Sequence, residues 1–154
     1  MDIQAVTEWN ELNLKEDLLR GIYSYGFEKP SPIQQRCIKP IITGNDVIAQ
    51  AQSGTGKTGA FTVSMLEKID NKLNTIQGLI LAPTRELALQ IHTVIDSMGS
   101  FIENINCKIF IGGKSMEQDI KELEKNPQII VGTPGRIHDL MRRKKIDSKT
   151  IKLL

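Results

Sequence analysis

The amino-acid sequence predicts an α/β protein built on a mostly parallel sheet with helices on both faces. Two observations favour this class. Short apolar runs alternate with helix-length stretches along the chain, and each glycine- or proline-containing loop of unusual composition directly follows one of those runs. The runs are mostly continuous, which is typical of strands covered on both faces. The 154 residues are enough for one domain with its own core.

Four apolar runs are predicted to be strands: Val47-Ile48-Ala49, Leu79-Ile80-Leu81, Lys108-Ile109-Phe110-Ile111 and Ile129-Ile130-Val131. Helices are expected between them, over residues 57–69, 85–102 and 115–125. The unusual loops would then share one edge of the sheet, where the carboxyl ends of parallel strands bind ligands.

Two helices are predicted before the first strand. The first is expected to begin at a capping box formed by Asn13 and Glu16 and to end at Gly26. The second is expected to begin at Ser31, with Gln34 three residues later as the partner in a second capping box.

Composition excludes several classes of protein. The chain is 40% hydrophobic and 25% charged and has no apolar run of about 18 residues or signal-peptide layout, so we expect a soluble intracellular protein without a membrane partner.

Cys37 and Cys107 suggest neither a disulfide nor a C-x-x-C motif, and both thiols are expected to be buried. His92 and His138 share no metal-ligand spacing and are expected on helix surfaces. A net charge of +2 does not by itself indicate a nucleic-acid partner.

The stretch Ala-Gln-Ser-Gly-Thr-Gly-Lys-Thr at residues 51–58 predicts a phosphate-binding loop. Its glycines allow backbone N–H groups at a helix start to face a phosphate, Lys57 supplies a cation, and Thr58 supplies a hydroxyl for Mg²⁺. We therefore predict Lys57 and Thr58 as catalytic residues and Thr58 as a metal ligand. The predicted nucleotide contacts in this loop are Ser53, Gly54, Thr55, Gly56, Lys57 and Thr58.

Two alternatives for this loop remain. Gly54, Gly56 and Gly59 also fit the G-x-G-x-x-G of a dinucleotide-binding turn, but the next strand does not end in the acidic residue that such a fold needs. A purely structural glycine turn is the other alternative. The strict phosphate-loop pattern begins with glycine, whereas this chain has Ala51.

Four further motifs accompany the phosphate loop. They are Gly26-Phe27-Glu28-Lys29-Pro30-Ser31-Pro32-Ile33-Gln34, Pro83-Thr84-Arg85-Glu86-Leu87-Ala88, Gly112-Gly113 and Thr133-Pro134-Gly135-Arg136. In this order they resemble the first RecA-like domain of the DEAD-box RNA helicases, most closely the eukaryotic initiation factor 4A branch, in which Ala51 is the normal form. The resemblance runs from about Trp9 to Leu154. It implies a RecA-like P-loop NTPase domain, incomplete at its C-terminus, with an N-terminal helix and Q-motif segment over 1–34 and part of the first RecA-like domain over 35–154.

The resemblance implies that ATP and Mg²⁺ are the cofactors. Phe27 would stack on adenine, Gln34 would bind the edge of the base, and Trp9 would pack near the adenine pocket. A carboxamide can pair with N6 and N7 of adenine together. The alternatives are a capping role for Gln34 and simple packing for Trp9.

The resemblance also implies that the remaining loops bind RNA, with contacts from Thr84, Arg85, Gly112, Gly113, Thr133 and Arg136. Each loop precedes a predicted helix, where N–H groups and arginines can contact phosphates without reading bases. The alternative is that Thr84 and Thr133 only cap helices, and capping and phosphate binding are compatible.

The implied activity is that of an ATP-dependent RNA helicase that remodels or unwinds short duplexes. In that family the metal-binding Asp-Glu-Ala-Asp follows a strand whose beginning resembles residues 151–154, so we expect the 154-residue chain alone to lack turnover. The alternative is a non-catalytic module that binds ATP and RNA. Translation-initiation scaffold proteins are the implied protein partners, and we expect a monomer in the cytoplasm, with the nucleus left open.

Overall fold

The computed structural model describes residues 5–154, which form two compact units. The first unit runs to Lys68 and includes Ser97–Ile102. The second unit comprises Ile69–Asp96 and Glu103–Leu154. None of the helices described for residues 5–154 is long and apolar enough to cross a lipid bilayer.

The first unit is helical. It contains a 3₁₀ turn at Trp9–Leu12 followed by helices α1 (Glu16–Tyr25), α2 (Pro32–Ile42) and α3 (Lys57–Lys68). Helix α3 packs against both α1 and α2. Each helix buries an apolar stripe, as expected for amphipathic helices around one core, and the fully buried aliphatic residues are Leu18, Ile22, Ile38, Val63 and Leu66.

The predicted capping box of Asn13 and Glu16 is wrong. Asn13 instead ends the 3₁₀ turn in the left-handed conformation, with φ of 51°, and α1 begins after Lys15. Asparagine tolerates this conformation better than most residues, so its turn-forming tendency prevails over capping. The end of α1 is as predicted, because Gly26 adopts φ of 101° and closes the helix.

The predicted strand at Val47-Ile48-Ala49 is also wrong. These residues are exposed and have no regular secondary structure. Apart from the turn at residues 53–54, no backbone N–H group of residues 46–59 donates a hydrogen bond to another residue of the described chain. A strand is stable only when a neighbour pairs with it, and within residues 5–154 no segment does so here.

The second unit contains a three-stranded parallel sheet in the order β1-β3-β2. The strands are β1 (Gly78–Leu81), β2 (Cys107–Phe110) and β3 (Ile129–Gly132), and the helices are α4 (Arg85–Met98), whose last two residues are assigned to the first unit, α5 (Met116–Leu123) and α6 (Pro134–Arg142). In register, Ile129 lies opposite both Gly78 and Cys107. The parallel sheet and its helices confirm the predicted α/β class and three of the four strands.

The central strand β3 is buried along its whole length. Its neighbours in the core include Phe110 and Leu140, both fully buried. At the other side of β1, the N–H of Leu79 donates to the carbonyl of Leu153 at 2.9 Å, and Gly78 pairs with Leu153 in parallel. The apolar segment 151–154 therefore begins to run beside β1, as its resemblance to the start of a strand predicted.

Candidate nucleotide and RNA sites

The phosphate loop has the backbone of an anion site. Gly54 and Gly56 adopt φ of 79° and 101°, a region that other residues enter at a cost. Helix α3 begins at Lys57, directly behind these glycines. Apart from the turn at residues 53–54, the N–H groups of residues 53–59 make no backbone hydrogen bond within the described chain. Unpaired N–H groups at a helix N-terminus attract a phosphate.

Side-chain hydrogen bonds stabilise the conformation of the loop. The ammonium group of Lys57 donates to the carbonyl of Ala51, so it bridges the two ends of the loop. The hydroxyl of Thr55 donates to the carbonyl of Gln52 at 2.6 Å. Thr58 occupies the first turn of α3 and is partly exposed. The loop therefore presents a cation, a hydroxyl and free N–H groups, the donor set that a phosphate chain with Mg²⁺ requires.

Gln34 connects the segment before α2 to the phosphate loop. Its Oε1 accepts a hydrogen bond from the N–H of Ser31 at 2.9 Å, which is one half of the predicted capping box. Its Nε2 donates to the carbonyl of Gly56 at 3.1 Å. Ser31 and Gln34 occupy the predicted capping box at the start of α2, and the buried Ser31 hydroxyl makes no close hydrogen bond within the described chain. Gln34 is thus both a helix cap and a contact to the loop.

Phe27 and Gln34 lie directly against the glycines of the loop and of α3. A Cβ atom added at Gly59 would lie 2.7 Å from Phe27 Cε2 and 2.6 Å from Gln34 Nε2. A Cβ atom at Gly56 would lie 2.6 Å from the Ser31 hydroxyl. Only glycine allows this approach. The structure therefore brings together the residues predicted to bind adenine and those predicted to bind phosphate.

Trp9 contacts Phe27 through both a hydrogen bond and its ring. Its side chain is fully buried, and its indole N–H donates to the carbonyl of Phe27 at 3.1 Å. The two rings are nearly parallel, with centroids 6.4 Å apart, while Tyr25 packs edge-on against Phe27 at 5.1 Å. Because Trp9 has no exposed surface, its influence on a ligand would pass through the position of Phe27.

In the second unit, the loops that follow β1, β2 and β3 line one open cavity of about 700 Å³. Every residue predicted to bind RNA, except Gly113, contributes to its wall. The cavity is lined by Pro83, Thr84, Arg85, Glu86, Gly112, Thr133, Gly135, Arg136 and Asp139. This convergence follows from parallel strands, whose carboxyl ends meet at one sheet edge.

Arg85 packs against the glycine pair. A Cβ atom at Gly113 would lie 2.9 Å from Arg85 Nη1, and one at Gly112 would lie 3.4 Å from Nη2. Gly113 also has φ of 91°. The absence of a side chain at Gly113 therefore gives the exposed guanidinium of Arg85 its place in the cavity, whereas a Cβ atom at Gly112 would make an ordinary contact.

Arg136 is held by partners within the protein. Its guanidinium donates to the Asp119 carboxylate at 2.9 Å and to the carbonyl of Lys114 at 2.8 Å. Both side chains are largely buried, at 13% and 4% exposure. Burial raises the pKa of the Asp119 carboxyl, and the Arg136 guanidinium opposes that rise. The ion pair fixes Arg136 in the cavity wall.

Asp119 was not predicted from the sequence, although a signal existed. It lies on the apolar face of α5 beside Met116, Ile120 and Leu123. A carboxylate on such a face is rarely buried without a partner. The pattern therefore indicated that a cation elsewhere in the chain pairs with it.

The two threonines at helix starts differ. The hydroxyl of Thr84 accepts a hydrogen bond from the N–H of Leu87 at 3.2 Å, so it caps α4. Thr133 precedes α6 in an extended conformation, but its hydroxyl makes no capping hydrogen bond. The hydroxyl of Thr133 is therefore available to a ligand, whereas the hydroxyl of Thr84 already accepts a hydrogen bond from the helix.

Comparison of the sequence with known proteins identifies the family to which the chain belongs. Residues 31–154 match the model of the DEAD/DEAH box helicase family. The chain is 55% identical over 150 residues to the "ATP-dependent RNA helicase eIF4A" of Neurospora crassa, covering 97% of this chain and 38% of that protein. It is 53% identical over 152 residues to the "ATP-dependent RNA helicase FAL1" of Mycosarcoma maydis, covering 99% of this chain and 38% of that one.

Solved structures agree. A DEAD box protein from the hyperthermophile Methanococcus jannaschii superposes with a TM-score of 0.89 at 38% identity, over 96% of this chain and 40% of that one. Dbp5 of S. cerevisiae bound to RNA and ADP BeF3 superposes with a TM-score of 0.80 at 40% identity, over 95% of this chain and 37% of that one. The chain spans about two fifths of these proteins' length. It belongs to the DEAD/DEAH box helicase family.

Proposed function

We propose that this chain is the nucleotide-binding part of an ATP-dependent RNA helicase that remodels or unwinds short RNA duplexes. The observation that carries the proposal is the position of Gln34, whose amide joins the segment before α2 to Gly56 of the phosphate loop. The alternative, a non-catalytic module that binds ATP and RNA, has less support because the relatives are named helicases.

ATP would lie with its base on Phe27 and its phosphates on the loop at residues 51–58. Gln34 Oε1 has a second lone pair and Nε2 has a second hydrogen, so Gln34 can pair with N6 and N7 of adenine while it keeps its contacts with Ser31 and Gly56. Base recognition and loop geometry are therefore coupled through one side chain. Because guanine presents a carbonyl where adenine has an amino group, the same side chain would favour ATP over GTP.

The phosphates would attract Lys57 away from Ala51 and would accept hydrogen bonds from the free N–H groups of the loop. Thr58 is the residue we propose to hold Mg²⁺. Within residues 5–154, no group of three acidic, histidine or cysteine side chains assembles at this loop. When bound, Mg²⁺ would neutralise charge on the phosphate oxygens.

The sugar-phosphate backbone of RNA would bind in the cavity of the second unit. Arg85 is exposed there and Arg136 is oriented by Asp119. Thr84, Thr133 and the glycine pair would add hydroxyl and N–H donors. Such contacts carry no sequence information. We further propose a monomeric, cytoplasmic protein that works with translation-initiation scaffold proteins, since its relatives include proteins named eIF4A.

The first test concerns the base. Gln34→Ala is expected to weaken ATP binding about 30-fold and to reduce the preference for ATP over GTP, because two hydrogen bonds of about 1 kcal/mol each are lost. Displacement of a fluorescent ATP analogue by ATP and by GTP measures both effects. Gln35→Ala is the matched control, since Gln35 donates instead to the carbonyl of Pro30. An unchanged ATP affinity in Gln34→Ala would leave Gln34 as a helix cap alone.

The second test concerns RNA. Arg85→Ala is expected to weaken binding of oligouridylate and oligoadenylate equally and to lower the slope of log affinity against log salt by about one. Fluorescence anisotropy at several salt concentrations measures this. Arg20→Ala is the control, because Arg20 lies over the Phe101 ring in the first unit. A loss restricted to one of the two oligonucleotides would contradict backbone recognition.

A further inference from the structure

A group of three potential metal ligands lies where helix α4 packs against strand β2. His92 and Asp96 are one helical turn apart on α4, so they share a face. Cys107 is the first residue of β2. One ligand atom from each of the three side chains lies within 4.8 Å of the others. None of these residues lines the RNA cavity or belongs to the phosphate loop.

The orientation of the His92 ring favours a cation at this place. Its Nε2 lies 3.0 Å from the backbone carbonyl of Cys107. A carbonyl oxygen can only accept, so Nε2 carries the hydrogen and donates it. In the neutral ring, Nδ1 then has a lone pair, and Nδ1 lies 3.5 Å from the carboxylate of Asp96. Nδ1 and the carboxylate oxygen of Asp96 therefore face the same point, which is the arrangement of two ligands around a cation.

This is also how proteins orient histidines that bind metals. Such a histidine usually donates its other ring N–H to a backbone carbonyl or a carboxylate, which fixes the tautomer and the direction of the ligating nitrogen. Here the carbonyl belongs to Cys107, the residue that supplies the third ligand. The histidine and the cysteine are therefore already placed relative to each other.

Cys107 provides a soft ligand. The thiol is buried and forms no disulfide. Asp96 is exposed, which gives an ion a route to the buried sulfur from the solvent side. A metal would replace the thiol proton, which leaves to water.

We propose that His92, Asp96 and Cys107 bind one zinc ion, with water as the fourth ligand. Imidazole, carboxylate and thiolate are the usual protein ligands of Zn²⁺, and four-coordinate geometry suits three side chains and one water. Magnesium prefers oxygen ligands in octahedral geometry and does not fit a buried thiolate. The ligand set therefore separates this site from the magnesium chemistry of the phosphate loop.

The proposed zinc ion would fasten two elements that lead to the RNA cavity. Helix α4 begins at Arg85, and β2 ends just before the pair of glycines at 112 and 113 on which Arg85 packs. An ion bound between α4 and β2 stabilises the folded second unit, because it binds the folded chain better than the unfolded one. Zinc should accordingly raise the melting temperature of the chain.

The test uses the 154-residue chain after treatment with a chelator. Titration with Cd²⁺, a spectroscopic substitute for Zn²⁺, is expected to produce a thiolate-to-metal absorption band that saturates at one equivalent. Added Zn²⁺ should abolish the band and excess Mg²⁺ should not. Absence of a saturable band, or saturation only at several equivalents, would overturn the proposal.

Substitutions assign the ligands. His92→Gln, at a partly exposed position, and Asp96→Asn, at an exposed one, are each expected to weaken Zn²⁺ binding at least about tenfold, and Cys107→Ala should remove the absorption band. His138→Gln and Cys37→Ala are matched controls, since His138 is exposed on α6 and Cys37 is the other buried thiol. Unchanged affinity in both His92→Gln and Asp96→Asn would refute the site, and these two variants decide the matter if Cys107→Ala fails to fold.

Discussion

Lys57→Ala is expected to weaken binding of ATP to this chain by at least about 100-fold. A charged hydrogen bond to phosphate is worth about 1.5–3 kcal/mol, and the lysine of such a loop reaches both the β- and the γ-phosphate. The ammonium group lies at the right place, because it bridges the ends of the loop beside N–H groups that have no partner in the described chain. Isothermal titration calorimetry measures the loss.

Two controls separate a phosphate contact from a general disturbance of α3. Lys68→Ala changes the lysine at the opposite end of the same helix, whose ammonium group donates to the carbonyl of Ile42 at 3.3 Å, and should leave ATP affinity unchanged. AMP lacks the two phosphates that Lys57 would contact, so its affinity should change little in Lys57→Ala. Equal losses for ATP and AMP would mean that the substitution damages the fold instead.

Asp119→Ala is expected to lower the free energy of unfolding by about 3–5 kcal/mol, because it leaves the largely buried guanidinium of Arg136 without its carboxylate. Urea denaturation followed by circular dichroism measures the change. Asp139→Ala is the control. Its carboxylate pairs with Arg142 and Arg143 at the surface, where water screens the charges, and the loss should be much smaller.

A double substitution distinguishes stability from RNA binding. Asp119→Leu with Arg136→Met replaces the ion pair by apolar side chains, which often restores much of the stability lost when one partner is removed. This variant should fold and yet bind RNA more weakly than the unchanged chain, since the cavity has lost a cation. A stable double variant with full RNA affinity would show that Arg136 serves only the fold.

The sequence predicted helix ends, which depend on nearby residues, and three of the four strands. Ser31 and Pro32 start α2, Gly26 ends α1, and the apolar runs of the second unit became β1, β2 and β3. The strand prediction was wrong at Val47-Ile48-Ala49, although this run is as apolar as the runs that form β1, β2 and β3. A strand needs a partner that is distant in sequence, and composition alone does not reveal whether one is present.

In the candidate sites, too, local sequence predicted which residues take part, whereas contacts between distant residues were not predictable. Motif spacing predicted that the loop residues lie at the ends of strands, and all but Gly113 of the predicted RNA contacts line one cavity. The partners that orient these residues were not predictable in detail. Asp119 pairs with Arg136 across α5 and α6, and Gln34 reaches Gly56, because the packing of separate helices places them together.

The contact between Arg85 and the glycine pair bears on how this surface can evolve. Any side chain at 113 would have to adopt a left-handed backbone and displace the guanidinium 2.9 Å away. The guanidinium is the end of a flexible side chain and can move aside, but it would then leave the position that it occupies in the cavity. The two loops lie far apart along the chain, yet substitutions at 85 and 113 should have non-additive effects because the residues are in contact.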